Sequence, residues 1–145
     1  MLLKLLEFGF KHAGTIDIDS SGKLVPVVSA EEFCENSSQV YAWEQNGEII
    51  YIGKGTNGTK KRHGEHKNGW NGGSKSGLIK AEKLKLLIAN NGSIKVYAYK
   101  CDTFIMETKM FGNNVSAQFS WMDKAEQILI GIFKPILNVN GKKII

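Results

Sequence analysis

Residues 39–53 read QVYAWEQNGEIIYIG, and this stretch decides the fold. Two runs rich in β-branched and aromatic residues flank Asn46-Gly47, the dipeptide most typical of a two-residue hairpin turn. Runs of this composition favour strands over helices. The stretch therefore predicts a β-hairpin at the centre of the protein, with Tyr41 and Tyr51 on its paired strands.

The segments around this hairpin predict a second hairpin, one more strand and several helices. Residues 15–28 alternate between apolar and polar around Ser20-Ser21-Gly22, and Pro26 marks the returning strand as an edge strand. Residues 102–118 give no clear pattern. The remaining predictions are a polar connector over 29–38, a short helix over 59–66, a mobile glycine-rich loop over 67–74, a helix over 77–90, a strand over 94–101 and a last helix over 120–133.

These elements predict an α+β fold: a small, mainly antiparallel three-stranded central sheet flanked by about three helices, with an N-terminal β-hairpin extension. We divide the chain into an N-terminal segment and hairpin over 1–38, which packs on the core or at an oligomer interface, and a main domain over 39–145. Ser120 should cap the last helix, and the helix over 77–90 should bury one apolar stripe. That stripe consists of Leu78, Ala81, Leu84 and Ile88.

Composition and charge indicate a globular protein with a polyanionic partner. The 145 residues are 42% apolar and 23% charged, which suits one folded domain. The net charge is +5, yet between residues 54 and 80 seven cations accompany one acid, Glu65, which gives that segment +6 (7 − 1). A positive field concentrated on one segment favours nucleic acid. The seven cations are Lys54, Lys60, Lys61, Arg62, Lys67, Lys75 and Lys80.

The N-terminal run from Met1 to Phe10 is apolar, but Lys4 and Glu7 interrupt it. It is too short to span a membrane, and it lacks the layout of a signal peptide. We therefore expect a cytoplasmic protein with no membrane contact. The leucines and phenylalanines of this run should pack in the core or between subunits.

Three familiar motifs are excluded. Cys34 and Cys101 have no Cys or His neighbours at metal-ligand spacing, so we expect two small buried hydrophobes rather than a zinc site. Residues 53–58 match G-x-G-x-x-G, but no crossover helix and second parallel strand follow, as dinucleotide binding requires. Gly58-Thr59-Lys60 has its lysine and threonine in the wrong order for a P-loop.

Three charged or titratable side chains outside the hairpin carry the chemistry. Arg62 is the only arginine of the chain, and His66 follows four residues later, on the same face of a helix. Glu126 has apolar neighbours on the last helix, so it lies on the buried stripe, where a carboxylate must be paired or bind a metal. Those neighbours are Met122, Leu129, Ile130 and Phe133.

In this order and spacing the motifs resemble those of the GIY-YIG nucleases, over about residues 39–138. The matching residues are Val40-Tyr41, Tyr51-Ile52-Gly53, Arg62, His66, Glu126 and Asn138. The leading hairpin, the Tyr-Ile-Gly-Lys run and the Ser-Lys-Ser run at 74–76 resemble most closely the branch represented by endonuclease II of T-even bacteriophages. Gln39 stands where the family has its first glycine.

The resemblance implies a DNA endonuclease that hydrolyses phosphodiester bonds of double-stranded DNA with Mg²⁺ or Mn²⁺. By this resemblance Glu126 is the metal ligand, Tyr41 is the general base, and Asn138 braces the site. Arg62 offers a planar donor set to a phosphate oxygen. A tyrosine base has a pKa of about 10 and needs nearby cations, which Lys54 and Arg62 would supply. The further implied residues are Tyr51 and His66 beside the attacking water or phosphate, and Lys54, Lys60, Lys61, Lys67 and Lys75 on DNA.

Alternatives remain at this level. A restriction-type enzyme, an RNA-directed nuclease and a non-catalytic nucleic-acid-binding module share the same basic segment. Trp70 either contacts bases or packs down on the surface. Because cutting a duplex takes two active sites or two visits, we expect a homo-oligomer, a dimer or tetramer, with residues 1–10 as a candidate interface.

Overall fold

A five-stranded sheet forms the centre of the computed structural model, which describes residues 1–138, and every neighbouring pair of its strands is antiparallel. The strands are β1 (Lys11–Ile18), β2 (Leu24–Val28), β3 (Gln39–Gln45), β4 (Glu48–Gly55) and β5 (Ile94–Lys100), in the spatial order β2-β1-β5-β3-β4. The helices are α1 (Leu2–Glu7), α2 (Thr59–Asn68), α3 (Lys75–Asn91) and α4 (Met122–Phe133), with short helical turns at Glu31–Phe33 and Gly69–Gly73. A separate two-stranded ribbon consists of β6 (Thr103–Met110) and β7 (Asn113–Ser120).

The α+β class is confirmed, but the prediction of a three-stranded central sheet is wrong. The N-terminal hairpin joins the sheet because β1 pairs with β5, for example at Gly14 and Val96. Its apolar side chains Ala13 and Ile16 are buried in the same cluster as those of β5, so the hairpin contributes to the core. Pro26 lies on the edge strand β2, as predicted, where its missing N–H interrupts no further pairing.

The central hairpin of β3 and β4 is confirmed. Asn46 and Gly47 have φ values of 53° and 86°, and two successive positive φ angles are what the two-residue turn requires. Every residue of β3 is buried, because the sheet is covered on both faces. Tyr41 and Trp43 point into one apolar cluster, and Val40 and Ala42 point into the other.

The predicted mobile loop over 67–74 is wrong. The helix α2 extends to Asn68 and is followed by a helical turn that buries Trp70. The indole of Trp70 stacks on His66, with ring centroids 5.5 Å apart, and packs edge-on against Trp43. The glycines and asparagines around it predict a loop, but the buried indole holds this segment on the core. The reading in which Trp70 packs down is therefore the one the structure supports.

The helices α3 and α4 begin and end close to their predicted bounds. Ser74 caps α3 by accepting a hydrogen bond from the Gly77 N–H (3.0 Å), and Ser120 accepts one from the Met122 N–H (3.1 Å) at the start of α4. The stripe of α3 is narrower than predicted, since Leu78 is 46% exposed while only Ala81 and Leu84 are fully buried and Ile88 is half-buried.

The N-terminal helix α1 packs only in part. Leu5 and Phe10 are buried in the second apolar cluster, whereas Leu3 is exposed. The expectation that both cysteines are buried is wrong for Cys34, which is exposed on a short turn at the surface, and Cys101 is half-buried. Across residues 1–138, no helix has both the length and the apolar content needed to cross a membrane.

Candidate active site

The phenol of Tyr41 lies at the centre of the site. Its ring is buried, and its hydroxyl is 2.5 Å from Nε2 of His66 on α2. Gly53 lies opposite it on β4, in register with Tyr41. A Cβ atom at position 53 would overlap the phenol, so the glycine makes room for the tyrosine. The hairpin therefore brings Tyr41 and Gly53 together across one strand pair.

The imidazole of His63 fixes one wall of the site. Trp43 donates its indole N–H to Nε2 of His63 (2.9 Å), so this nitrogen is the acceptor and Nδ1 carries the proton. Nδ1 then donates to the carbonyl of Thr59 (2.8 Å). Burial lowers the pKa of His63 to about 4, and burial with the neighbouring His63 and Arg62 lowers the pKa of His66 to about 2. Both imidazoles are therefore neutral near pH 7.

Tyr51 lies beside Tyr41, with ring centroids 6.2 Å apart, and is half-buried. The ammonium of Lys80 on α3 lies over its ring, 4.7 Å from the centroid, which is cation–π geometry. Burial lowers the pKa of Lys80, and Arg62 acts in the same direction. Lys80 was counted only among the basic residues of its segment. Its place next to Ala81 on the buried stripe of α3 is the sequence signal that would have singled it out.

Glu126 projects from α4 between buried side chains, as its position on the apolar stripe predicted. Its side chain is 21% exposed, and its carboxylate is 3.8 Å from the ammonium of Lys54. Lys54 also forms an ion pair with Asp123, one turn earlier on α4. Burial raises the pKa of Glu126, and Lys54 opposes this effect. Asp123 was not among the predicted site residues; its spacing of three from Glu126 is the signal.

The expected activation of tyrosine by cations is wrong as stated. Burial raises the pKa of Tyr41 well above its ordinary value, and the neighbouring Tyr51 adds to this effect, while Arg62 only opposes it. The pKa of Tyr51 is raised for the same first reason. Lys54 does not assist, because its ammonium is engaged by the carboxylates of α4. A free phenolate at Tyr41 is therefore disfavoured near pH 7.

Asn138 reaches the site through the backbone of β4. Its Oδ1 accepts a hydrogen bond from the Ile52 N–H (2.7 Å), and its Nδ2 donates to the Ile52 carbonyl (2.8 Å). Because β4 is an edge strand of the sheet, these two backbone groups have no further strand to pair with. The side chain thus holds the strand between Tyr51 and Gly53.

Gln39 replaces the first glycine of the family and has a structural task of its own. It is buried, and its Oε1 accepts hydrogen bonds from the backbone N–H (2.8 Å) and the hydroxyl (2.6 Å) of Thr59. Its Nε2 donates to Ser37 (2.9 Å). The start of α2, which carries Arg62 and His66, is therefore attached to β3 by this carboxamide. A buried glutamine was not predicted as a site residue.

A polar cleft unites these side chains. It is lined by Tyr41, Tyr51, Lys54, Lys61, Arg62, Glu65 and Glu126, together with the backbone of residues 55–58. A second cleft adjoins it on the far side of Arg62 and Glu65 and is lined by His66, Trp70, Ser74 and Lys80. The predicted residues Lys60, Lys67 and Lys75 are exposed outside both linings.

The donor set of the cleft fits a hard cation that takes few protein ligands. No group of three or more His, Cys, Asp and Glu side chains lies close enough within residues 1–138 to hold a metal by itself. Glu126 provides one half-buried carboxylate beside open space, with Arg62 on the same cleft. Mg²⁺ is commonly held by one or two carboxylates, with waters and substrate phosphate oxygens completing its shell.

Comparison with known proteins identifies the fold. No protein-family model and no curated protein sequence matches the chain. A solved structure of a mutant of endonuclease II from bacteriophage T4 superimposes with a TM-score of 0.69 and 21% identity, over 94% of this chain and 96% of that one. The restriction endonuclease HPY188I in complex with product DNA gives 0.55 and 23%, over 94% and 80%. The resemblance to the GIY-YIG nucleases of the endonuclease II type, predicted from the tyrosine hairpin, is thus confirmed at the level of the fold.

Proposed function

We propose that this protein is an endonuclease that hydrolyses phosphodiester bonds of double-stranded DNA with the help of Mg²⁺ or Mn²⁺. The observation that carries the proposal is the convergence of Tyr41, Tyr51, Arg62 and Glu126 on one cleft. These residues come from β3, β4, α2 and α4, so the fold as a whole assembles them. The fold shared with two solved DNA endonucleases supports the same conclusion.

Tyr41 and His66 act together as the proton acceptor. The raised pKa of Tyr41 excludes a stored phenolate, but its hydroxyl has a neutral imidazole nitrogen 2.5 Å away. As water attacks phosphorus, its proton passes to the oxygen of Tyr41 while the tyrosine proton passes to Nε2 of His66. The water oxygen forms the new bond to phosphorus, and the bond to the leaving oxygen breaks. Phenol and imidazole exchange one proton, so no charge separates in the buried ring cluster until the attack occurs.

Glu126 and Arg62 serve the charge on the phosphate. Glu126 would hold the metal ion, which when bound stabilises negative charge on the phosphate and on the leaving oxygen. Arg62 presents a fixed guanidinium to a nonbridging oxygen, and its Nη1 is kept in place by Glu65 (3.1 Å). Lys54 neutralises Glu126 while the cleft has no substrate, since its ammonium is 3.8 Å from that carboxylate.

The basic segment provides the DNA contacts. Lys54 and Lys61 line the cleft, and Lys60, Lys67 and Lys75 lie exposed on α2 and at the start of α3. Such lysines contact phosphates without reading sequence and make binding salt-dependent. The second cleft continues the surface past Arg62 toward Lys80, so a backbone longer than one phosphate fits along it.

The test is cleavage of supercoiled and linear duplex DNA in Mg²⁺ or in EDTA. Wild type is compared with Glu126→Gln and Arg62→Met, and each variant has a matched control outside the cleft. Glu82→Gln removes a carboxylate from the exposed face of α3, and Lys60→Met removes a cation from α2. We expect Mg²⁺-dependent nicking that both site variants abolish and both controls retain.

The competing functions give different results in the same experiment. A non-catalytic binding module would bind duplex DNA with a salt slope and show no cleavage by wild type. An RNA-directed enzyme would be inhibited by RNA at concentrations at which duplex DNA has no effect. A restriction-type enzyme is the second candidate, because HPY188I shares the fold, and it would yield discrete fragments from linear DNA.

A further inference from the structure

The ribbon of β6 and β7 projects from the body of the molecule. Every residue of its two strands is exposed except Phe104 and Ser120, which are half-buried at its base. At the tip, Phe111 is 97% exposed in a turn with two positive φ angles. A lone two-stranded hairpin is at best marginally stable in water. Within residues 1–138 nothing covers the strands, so the ribbon needs a surface from another molecule.

The two faces of the ribbon differ sharply in chemistry. Cross-strand partners point to the same face, and the register pairs Phe104 with Phe119 and Met106 with Ala117. The rings of Phe104 and Phe119 stack 5.8 Å apart, which confirms their common face. Six of eight residues are apolar on this face and one of eight on the other, given the register. The apolar face carries Phe104, Met106, Thr108, Met110, Asn113, Val115, Ala117 and Phe119.

Charge argues against nucleic acid as the partner of this face. Residues 103–120 contain one acid, Glu107, and one base, Lys109, so the ribbon has no net charge. Both charges lie on the polar face, because each alternates with the apolar positions. The basic segment that suits DNA lies on α2 and α3 instead. A phosphate backbone would therefore find no cation on the apolar face of the ribbon.

We propose that the apolar face of this ribbon packs against the same face of a second copy of the chain. A two-fold axis brings one patch onto itself, so such a patch must be self-complementary. This face meets that condition, because it carries no charge that would be repelled by its own copy. It also alternates bulky with small side chains, as Phe119 and Ala117 show, and its methionines adapt to irregular surfaces. Two ribbons stacked in this way form a small two-layer sandwich.

The size of the face suits such a contact. Eight-residue strands at about 3.3 Å per residue make a ribbon about 26 Å long and about 10 Å wide. With its side chains, one such face exposes on the order of 500 Å², so a pair would bury on the order of 1,000 Å², the lower range of specific interfaces. The inference stands on the ribbon and does not require nuclease activity. If the chain is a nuclease, the pairing gives the duplex a second active site.

The experiment is a mass measurement in solution over a range of protein concentrations. Met106→Lys places a charge on the apolar face, and Ile105→Lys places the same charge one residue away on the opposite face. Both side chains are exposed in the single chain, 57% and 70%, so neither change disturbs its core. We expect wild type and Ile105→Lys to associate equally, and Met106→Lys to weaken self-association by about tenfold or more. Circular dichroism of both variants checks that the body remains folded.

Three outcomes would overturn the proposal. The first is a wild-type protein that stays monomeric at every concentration. The second is equal association of Met106→Lys and Ile105→Lys. The third is dissociation by Leu3→Lys alone, which would assign the interface to α1, where Leu3 is 70% exposed. A loss of DNA binding by Met106→Lys without a change of mass would also count against a second copy as the partner.

Discussion

The hydroxyl of Tyr41 lies 2.5 Å from Nε2 of His66, and both side chains are buried. Burial disfavours the charged form of each, since it raises the pKa of Tyr41 and lowers that of His66 to about 2. A proton can therefore cross this contact only when a third group makes the transfer favourable. Under the proposed function that group is the water attacking phosphorus.

Tyr41→Phe should abolish most cleavage while leaving DNA affinity intact. Loss of a general base typically lowers kcat by about 10²- to 10⁴-fold. The variant removes one oxygen and keeps the ring that packs against Trp43 and His63. Single-turnover cleavage measures the rate, and a binding isotherm at fixed salt measures the affinity. Near-wild-type cleavage by Tyr41→Phe would refute the role of the tyrosine.

The two buried imidazoles should make the protein acid-sensitive. The pKa of His63 is lowered to about 4 by burial, so the folded state keeps it neutral while the unfolded chain takes up a proton below about pH 6.5. The stability is complete above that pH and falls, for each such histidine, by about 1.4 kcal/mol per pH unit as the pH decreases. The pKa of His66, about 2, places it in the same class.

His63→Gln tests this sign and its size. Glutamine keeps an oxygen acceptor for the Trp43 indole but takes up no proton. The slope of unfolding free energy between pH 6 and pH 4 should then fall to about half. Urea denaturation at one protein concentration measures it. An unchanged slope would mean that His63 does not stay neutral in the folded state.

The central hairpin and the face of Glu126 were predictable because their signals are local. Asn46-Gly47 specifies a turn by itself, and Glu126 interrupts an apolar helical stripe. The junction of β1 with β5 was not predictable in the same way. It joins Gly14 to Val96 across the length of the chain, and nothing near either residue encodes the partner.

Two other errors arose where tertiary packing outweighed composition. The glycine-rich segment after α2 is ordered because Trp70 is buried against His66. The ribbon was missed although its apolar positions alternate, because its turn uses Phe111-Gly112 in place of a typical turn dipeptide. The pKa of Tyr41 was misjudged for a related reason: the cations nearby were visible in the sequence, but complete burial was not.

Lys54→Met should shift the acid limit of cleavage toward higher pH. Burial raises the pKa of Glu126, and Lys54, 3.8 Å away, holds that pKa down. A raised carboxyl pKa means that the ionised form is lost at a higher pH as the solution is acidified. Removing the ammonium raises the pKa further, so activity should begin to fall earlier on acidification.

The measurement is a profile of single-turnover rate against pH at saturating DNA. Lys60→Met is the control, because it removes one cation from the same basic segment outside the cleft. Both variants should weaken DNA binding at low salt. Only Lys54→Met should move the acid limb, and an equal shift in the control would assign the effect to the general field of the protein.

Gly53→Ala should disrupt the site more than it disrupts the fold around it. The added Cβ would overlap the Tyr41 phenol, so the ring must move away from His66. We expect a destabilisation of about 1–3 kcal/mol, as for other overpacked positions, and loss of most cleavage. Gly64→Ala is the matched control, since a Cβ there meets nothing within 4 Å. On the exposed side of α2 it should stabilise by about 0.5–1 kcal/mol and leave cleavage unchanged.

Asn138→Leu should free the edge of β4 at the point where the two tyrosines meet the cleft. The substitution removes both hydrogen bonds to the Ile52 backbone and leaves a donor and an acceptor unpaired, which costs about 1–3 kcal/mol. Asn138→Asp keeps the acceptor for the Ile52 N–H and loses only the donor, so it should lie between wild type and the leucine variant in both stability and kcat. Urea denaturation and single-turnover cleavage rank the three proteins. If Asn138→Leu lost stability but kept its full rate, the contact would serve the strand alone and not the position of Tyr51.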